Sequence, residues 1–581
     1  MIKSFKYLRP YWYLVILIFV LIGLRSFLNL QLPELMGNIV NQVKPNGAQD
    51  TTIIWQNTLS MIINTVVGVI LVLCSGYFES RVSAAYGQKL RSEIYKKIET
   101  FSTNEMELFQ TSSLITRTTN DVTQVQQTVN MLLRMVVMLP FMSLGAVIMA
   151  YQISPQLSTV LIFAALAMFA VIITLLIVGV PRFKIIQRRL DRLNLVTREN
   201  LSGLRVVRAF DTEDVQVGKI EETARDTMKQ SIFVNRILSG MMPVMTIITA
   251  LASAGIAFLA VHWNLIPNSI EAQDVSTLIQ YASQTIMSFM MITMVLVMVP
   301  RAAISARRIM QVIESPTLIK DPIKPLPIEI DEVAGSIEFD HVTFKYPHAD
   351  EPVLSDITFK AEAGKMTAFI GSTGSGKSTL VNLIPRFFDP TEGSILLDGV
   401  NIKSYKQNEY LKAIGYVPQK GHLFKGTIAS NIAFGNEKAS LDEIKEAARI
   451  AQAQSFIESF DDQYDSEINQ GGSNVSGGQR QRLSIARAIV KKPKIYIFDD
   501  SFSALDYKTD QALRSALKQD VSATILVVAQ RINTIKHADL IIVLDQGKVV
   551  GTGSHSDLLK TCAVYQEIAS SQLSKEELAH E

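Results

Sequence analysis

Residues Gly371-Ser372-Thr373-Gly374-Ser375-Gly376-Lys377-Ser378 fit the pattern G-x-x-x-x-G-K-[ST]. That spacing suits a nucleoside triphosphate. The glycines let backbone N–H groups close around phosphate oxygens, and a following helix adds the positive end of its dipole. Lys377 would reach the β- and γ-phosphates, Ser378 would ligate Mg²⁺ through its hydroxyl, and Thr379 extends the same phosphate-facing set. The apolar run Thr367 to Ile370 leads in, and a helix-compatible run from Leu380 to Ile384 leads out. The strand, loop and helix that the motif requires are therefore expected here. Further on, Ile495-Tyr496-Ile497-Phe498-Asp499-Asp500 reads as an apolar strand ending in two carboxylates. Beside a phosphate loop, Asp499 would hold Mg²⁺ through water and Asp500 would polarise an attacking water. A third stretch, Asn474-Val475-Ser476-Gly477-Gly478-Gln479, opens a helix with serine and paired glycines, again presenting N–H groups and a dipole to an anion.

These groups need a scaffold, and the chain supplies two kinds. At 581 residues it exceeds a single core. A hydrophobic fraction of 48%, only 19% charged residues and a mean hydropathy of +0.22 point to a membrane. The net charge of +2 is uninformative about nucleic acid, and no nucleic-acid partner is expected. Cys74 and Cys562 fit neither a disulfide framework nor a metal spacing, and Cys74 reads as a small packing residue. Uncharged stretches of about 20 residues, the length that crosses a bilayer, run from Thr58 to Phe78, Met135 to Ile153, Gln156 to Val180, Ile237 to Ile270 and Val275 to Pro300. Lys3, Lys6 and Arg9 precede a further apolar run, Tyr11 to Leu24, which reads as an uncleaved first span. The connections Glu79 to Arg134 and Pro181 to Arg236 are long and basic, the latter carrying Arg182, Lys184, Arg188, Arg189, Arg192 and Arg198. The loop near Lys44 to Asp50, the turn at Ser154-Pro155 and the stretch Trp263 to Asp274 are short. The positive-inside rule then puts both long connections and both termini in the cytoplasm, with Trp12, Trp55 and Trp263 near the interfaces. Arg25 is the one charge well inside a span, and Met241, Met242, Met245, Met287, Met290, Met291, Met294 and Met298 enrich the last two spans. Methionine can adapt to varied apolar ligands. Past Arg301, Pro316, Pro322, Pro325 and Pro327 mark a linker, and an α/β pattern starts at Ser336.

Ser476 to Gln479 ahead of Arg480-Gln-Arg-Leu-Ser-Ile-Ala-Arg-Ala, downstream of the phosphate loop and upstream of Asp499, resembles the signature of ABC transporters. With six spans fused ahead of one nucleotide-binding domain, essentially the whole chain resembles an ABC exporter half-transporter. The resemblance implies an all-α six-helix transmembrane domain followed by an α/β P-loop ATPase domain with an antiparallel β subdomain and a helical signature subdomain. The boundaries expected are 1–315 for the transmembrane domain, 316–335 for the linker and 336–581 for the nucleotide-binding domain. It also implies a multi-pass protein of the cell membrane with its nucleotide domain in the cytoplasm, and ATP with Mg²⁺ as cofactors. Tyr346 matches the aromatic that stacks on adenine. Gln419, in Tyr416-Val-Pro-Gln419, matches a residue that contacts Mg²⁺ and senses the γ-phosphate. Ser503-Ala-Leu-Asp506 matches a loop that touches a second nucleotide domain. Glu199 to Phe210 resembles a coupling helix, and Phe101 to Phe109 does so more loosely.

Three positions depart from that family's pattern. Asp500 stands where Glu is usual, which retracts the carboxylate by roughly 1.5 Å. Gln530, in Ala529-Gln530-Arg531, stands where a histidine is usual and cannot become cationic. Gln470 aligns with a usual Glu. Asp500 and Gln530 both act on the ATP of this chain's own phosphate loop. The expectation is a degenerate site, a non-identical half-transporter as partner, and an intact signature at Ser476, Gly477, Gly478 and Gln479 completing the partner's competent site. This pattern resembles bacterial heterodimeric multidrug exporters, with amphipathic drugs or lipids as substrates. The alternatives are a homodimeric lipid or peptide exporter and an ATP-gated channel or regulatory subunit.

Overall fold

The computed structural model describes residues 1–42, 51–263, 265–266, 270–347 and 349–573. The expected short loop at Lys44 to Asp50 and part of the stretch Trp263 to Asp274 lie outside the described residues. The chain separates into two compact units. One comprises Met1–Glu99 and Gln110–Ser315; the other comprises Thr100–Phe109 and Pro316–Glu581.

The first unit is helical. Its elements are α1 (Trp12–Gln42) and α2 (Thr51–Ile98), then, after α3 (Thr103–Phe109) of the other unit, α4 (Thr111–Thr116), α5 (Val122–Ile153), α6 (Pro155–Ser202), α7 (Leu204–Ala209), α8 (Glu213–His262) and α9 (Ala272–Ile313). Among the described residues, five helical stretches are long and apolar enough to cross a membrane: Ile2–Gln42, Thr51–Ile98, Thr111–Ile153, Pro155–Leu175 and Glu213–His262. The sixth expected span, Val275 to Pro300, falls on α9, where several side chains, Met290 and Met294 included, lie outside the description, as does Lys184 on α6. The Ser154-Pro155 turn has a local cause. The Ser154 hydroxyl accepts from the Leu157 N–H, and Pro155 begins α6, where its missing N–H costs nothing.

A core of Leu30, Met142, Ala146, Leu157, Leu161, Met168, Met245, Ile256 and Leu278 joins α1, α5, α6, α8 and α9. Pro33 interrupts the α1 ladder, and α9 supplies polar partners beside it. Tyr281 donates its hydroxyl to the Leu30 carbonyl at 2.9 Å, and Thr277 donates to the Pro33 carbonyl at 3.3 Å. These hydrogen bonds tie α9 to α1 around the position where Pro33 removes an N–H from the helix ladder. Met245 is buried in this packing and Met241 is buried on the same helix, whereas Met242 and Met287 are exposed. Cys74 is exposed on α2, which corrects its reading as a packing residue: α2 turns that face away from the bundle, with Val69, Ile70 and Leu73 beside it. Arg25 is half-buried on α1.

The second unit contains twelve strands among its described residues: β1 (Ile337–Phe344), β2 (Leu354–Ala361), β3 (Met366–Gly371), β4 (Glu392–Leu397), β5 (Val400–Asn401), β6 (Ile414–Val417), β7 (Gly426–Thr427), β8 (Glu467–Ile468), β9 (Ile495–Asp499), β10 (Thr524–Val528), β11 (Leu540–Asp545) and β12 (Lys548–Gly553). One sheet, ordered β2-β1-β4-β5, is antiparallel. The larger sheet is ordered β12-β11-β3-β10-β9-β6, and all but the β11–β12 pair run parallel. The central strands are apolar on both faces because both are covered. Phe369, Ile497 and Leu526 pack toward the antiparallel sheet, and Ala368, Phe498 and Val527 pack under the helices.

Candidate functional site

Parallel strands end on one edge, and here that edge collects the chemistry. β3, β10, β9 and β6 are consecutive neighbours, with Val528 level with both Asp499 and Phe369, and Val417 level with Phe498. The phosphate loop leaves β3, Asp499 ends β9 with Asp500 next, Gln530 lies two residues past β10, and Gln419 lies two past β6. Ligands of open parallel sheets sit at such carboxyl ends. A cavity of about 360 Å³ opens there, lined by Thr373, Gly374, Gly376, Lys377, Ser378, Thr379, Gln419, Asp500 and Gln530.

The loop's shape follows from its glycines. Gly374 and Gly376 have φ of 85° and 96°, and a Cβ on Gly376 would approach the Leu354 side chain to 2.7 Å. The backbone turn therefore needs glycine at Gly376 on both counts. The helix Lys377–Leu383 starts directly from it. Lys377 is buried, and its ammonium donates to the carbonyls of Gly371 (3.0 Å) and Ser372 (2.7 Å) and to Ser375 Oγ (3.3 Å). Burial lowers its pKa, while the charges of Asp500 and Asp499 oppose that shift. Ser378 Oγ donates to Asp499 Oδ1 at 2.8 Å, so the two protein groups expected at the metal meet directly. Among the described residues no cluster of three or more His, Cys, Asp or Glu could hold a metal. A cation at Ser378 and Asp499 would draw its other oxygens from phosphates and water. That donor set fits Mg²⁺, which keeps several waters.

Asp500 occupies a corner of its own. Its φ is 48°, a left-handed conformation that aspartate tolerates better than most residues. Gln419 Nε2 donates to Asp500 Oδ2 at 3.0 Å, and Gln530 Nε2 donates to the same oxygen at 2.9 Å. Burial raises the pKa of Asp500. The Gln419 hydrogen bond, the Lys377 charge and the Gln530 hydrogen bond pull it back, and the rise prevails. Asp499 is likewise raised, by burial first and by the Asp500 charge, against the Ser378 hydrogen bond.

Tyr346, half-buried, follows β1 and stands edge-on to Phe344 and Phe388. Its hydroxyl lies 3.0 Å from Thr379 Oγ1, so it reaches the first turn after the loop. Ser476 to Gln479 are not brought to this cavity. They start the helix Gly477–Val490, where Gln479 N–H donates to Ser476 Oγ (3.2 Å) and Ser476 N–H donates to Gln479 Oε1 (2.9 Å). A capping box thus uses both polar side chains of the motif. Nothing would meet a Cβ on Gly477, while one on Gly478 would come within 3.3 Å of the Ala504 carbonyl. Gln470 lies in a short 3-10 turn, Gln470–Gly472. Val353 and Val528 also line the cavity, and sequence reasoning did not single them out. Val528 ends the strand between β3 and β9, and only the strand order reveals that placement.

The fold and site define a phosphate-loop ATPase carried on the same chain as a bundle of membrane-spanning helices. Residues 15–289 match the family described as ABC transporter transmembrane region, and residues 354–503 match the family described as ABC transporter. An uncharacterised ABC transporter ATP-binding protein of Mycobacterium tuberculosis is 37% identical over 575 residues, covering 98% of this chain and 97% of that protein. The ATP-dependent lipid A-core flippase of Hahella chejuensis is 31% identical over 509 residues, covering 86% and 85%. A solved bacterial Atm1-family ABC exporter with ATP bound superposes with a TM-score of 0.82 at 25% identity, covering 98% of this chain and 99% of that one. The chain belongs to the ABC transporter family, as an exporter half-transporter with fused transmembrane and ATP-binding domains. It is a multi-pass membrane protein with a cytoplasmic nucleotide-binding domain that binds and hydrolyses ATP.

Proposed function

We propose that this chain is one subunit of an exporter moving amphipathic drugs or lipids out of the cytoplasm or inner leaflet, and that its own ATP site is degenerate. In this reading Gly371 to Thr379 hold the phosphates and Tyr346 the adenine. Ser378 and Asp499, with Gln419 nearby, would hold Mg²⁺, whose positive charge would offset that of the phosphates. The observation that carries the reading is the Asp500 corner, where two neutral amides donate to one oxygen of a short carboxylate. An attacking water would compete with both for that oxygen, and a general base displaced this way performs poorly. Gln530 hydrogen-bonds but takes up no proton. Turnover would then fall mainly to the site that Ser476 to Gln479 complete on a non-identical partner.

Tagged chain is expressed together with a candidate second half-transporter, and ATP turnover of the purified assembly is measured. Ser476→Arg should abolish turnover, whereas Asp500→Asn should leave at least half. Equal loss from both would refute the degenerate site, and an active dimer of this chain alone would refute the heterodimer. A homodimer is the second reading, supported by the near full-length likeness to an Atm1-family exporter.

A further inference from the structure

The chain passes between the membrane unit and the nucleotide unit three times: at Thr100 as it enters a ten-residue insertion, at Gln110 as it leaves, and at Pro316 for good. The insertion holds α3 and is closed at its neck by stacked Phe101 and Phe109 rings, 5.5 Å apart and 9° from parallel. Its one deeply buried charge is Glu105, 2% exposed. Glu105 Oε2 accepts from the Ser102 N–H at 2.9 Å and from the Ser102 hydroxyl, and Oε1 accepts from the Leu318 N–H at 2.8 Å. The same carboxylate therefore caps α3 and grips the third residue of the linker.

The linker is fastened beyond that point as well. Arg386 Nη2 donates to the Lys320 carbonyl at 3.1 Å, and Asp321 Oδ1 accepts from the Gln407 N–H at 2.9 Å. The Leu326 N–H donates to the Ser404 carbonyl at 2.9 Å. Arg386 is itself 3% exposed, is clamped by Asp389, and follows the helix Lys377–Leu383 that carries the phosphate loop. A short hydrogen-bonded line therefore runs from the phosphate-loop helix through Arg386 and the linker backbone to Glu105 and α3.

We propose that Glu105 is a positioning residue that makes the insertion and the linker one body, so that displacement of the phosphate-loop helix is delivered to α2 and α4 through the chain itself. A buried carboxylate receiving several N–H and O–H donors holds its geometry tightly, because leaving those donors unpaired costs more than any one bond gains. This role rests on the exporter family and is independent of the reading of Asp500.

The test uses the full-length protein in lipid nanodiscs, with Cys74→Ala and Gln56→Cys leaving a single exposed thiol, at the start of α2. Binding of trinitrophenyl-ATP reads the nucleotide site. The ATP-driven change in the rate at which an impermeant maleimide labels the introduced thiol reads the membrane unit, so failure of one is separable from failure of the other. Glu105→Ala should leave trinitrophenyl-ATP affinity within 2-fold and shrink the ATP-driven change at least 5-fold. Glu105→Gln, which keeps an acceptor for Leu318, should retain at least half of it. Leu318→Pro deletes the N–H donor, along with the leucine side chain, while keeping the Glu105 carboxylate, and should act like Glu105→Ala. The proposal is overturned by a full ATP-driven change in Glu105→Ala and Leu318→Pro, and equally by loss of nucleotide binding in step with the labelling response.

Discussion

The phosphate-holding side of the cavity and the corner opposite it are built differently. On the holding side, Lys377 is ringed by oxygens of its own loop and Ser378 is bonded to Asp499. The glycine conformations and the strand-to-helix transition bring every group that grips a triphosphate to one edge. In the corner, Asp500 sits in a left-handed conformation with one carboxylate oxygen shared by Gln419 and Gln530. Both sides rest on the same parallel sheet, so scaffold quality does not account for the difference. It comes from the side chains that meet at Asp500, and in the proposed reading it separates holding a nucleotide from turning it over.

The largest effect should come from breaking the holding side. Lys377→Ala removes the only cation among the described residues lining the cavity, and phosphate recognition there is electrostatic and partly desolvated. ATP affinity at this chain's site should fall by roughly 100-fold, about 2.7 kcal/mol by the affinity relation. Equilibrium binding of a fluorescent ATP analogue would read it, and an unchanged affinity would mean the backbone nest alone holds the phosphates. A smaller effect in the opposite direction should follow from repairing the corner. Asp500→Glu together with Gln530→His, in an assembly whose other site is silenced by Ser476→Arg on this chain, should raise steady-state ATP turnover about 10-fold, the low side of what a restored acid–base group supplies. No gain would remove the corner as the cause of slow turnover and would favour the homodimer, in which Ser476→Arg silences both sites.

The holding side was legible before the structure because local chain geometry builds it. Gly371 to Ser378 form one contiguous turn, and an apolar run ending in Asp499 and Asp500 can only present its carboxylates at a strand end. The corner was legible as a list of departures but not as an arrangement. Nothing local says that β10 lies between β3 and β9, or that β6 flanks β9, and that order alone aims Gln419 and Gln530 at one oxygen of Asp500. The proline-rich stretch after Ser315 reads as a linker by composition, which does not reveal the hydrogen bonds to Glu105, Arg386, Gln407 and Ser404 that fix it. Those partners lie far away in sequence, where no composition window reaches. Thr100 to Phe109 groups with the nucleotide unit for the same reason.

The finest probe of the corner is what ionisation costs Asp500. Burial raises the pKa of Asp500 above the ordinary aspartate value, so its ionised form is less favourable in the folded protein than in the unfolded chain. A raised folded-state pKa stabilises fully below the unfolded value, and that contribution is lost as pH rises through the folded value. In nucleotide-free protein above that pH, Asp500 is ionised at a cost. Asp500→Asn removes the charge and keeps an acceptor for Gln419 and Gln530. Its melting temperature at pH 7.5 should exceed the parent's by about 2 °C, corresponding to roughly 0.5–1 kcal/mol for a domain of this size. The gap should close as pH falls from 7.5 through the raised folded-state pKa, where Asp500 takes up its proton. Saturating Mg·ATP should narrow the gap at pH 7.5 as well, because a bound cation favours the ionised carboxylates that burial opposes. Differential scanning fluorimetry across that pH range, with and without nucleotide, checks each part. A gap of the same size at every pH would show that Asp500 carries no penalty, and would leave the geometry of the two amides as the sole difference between the corner and the holding side.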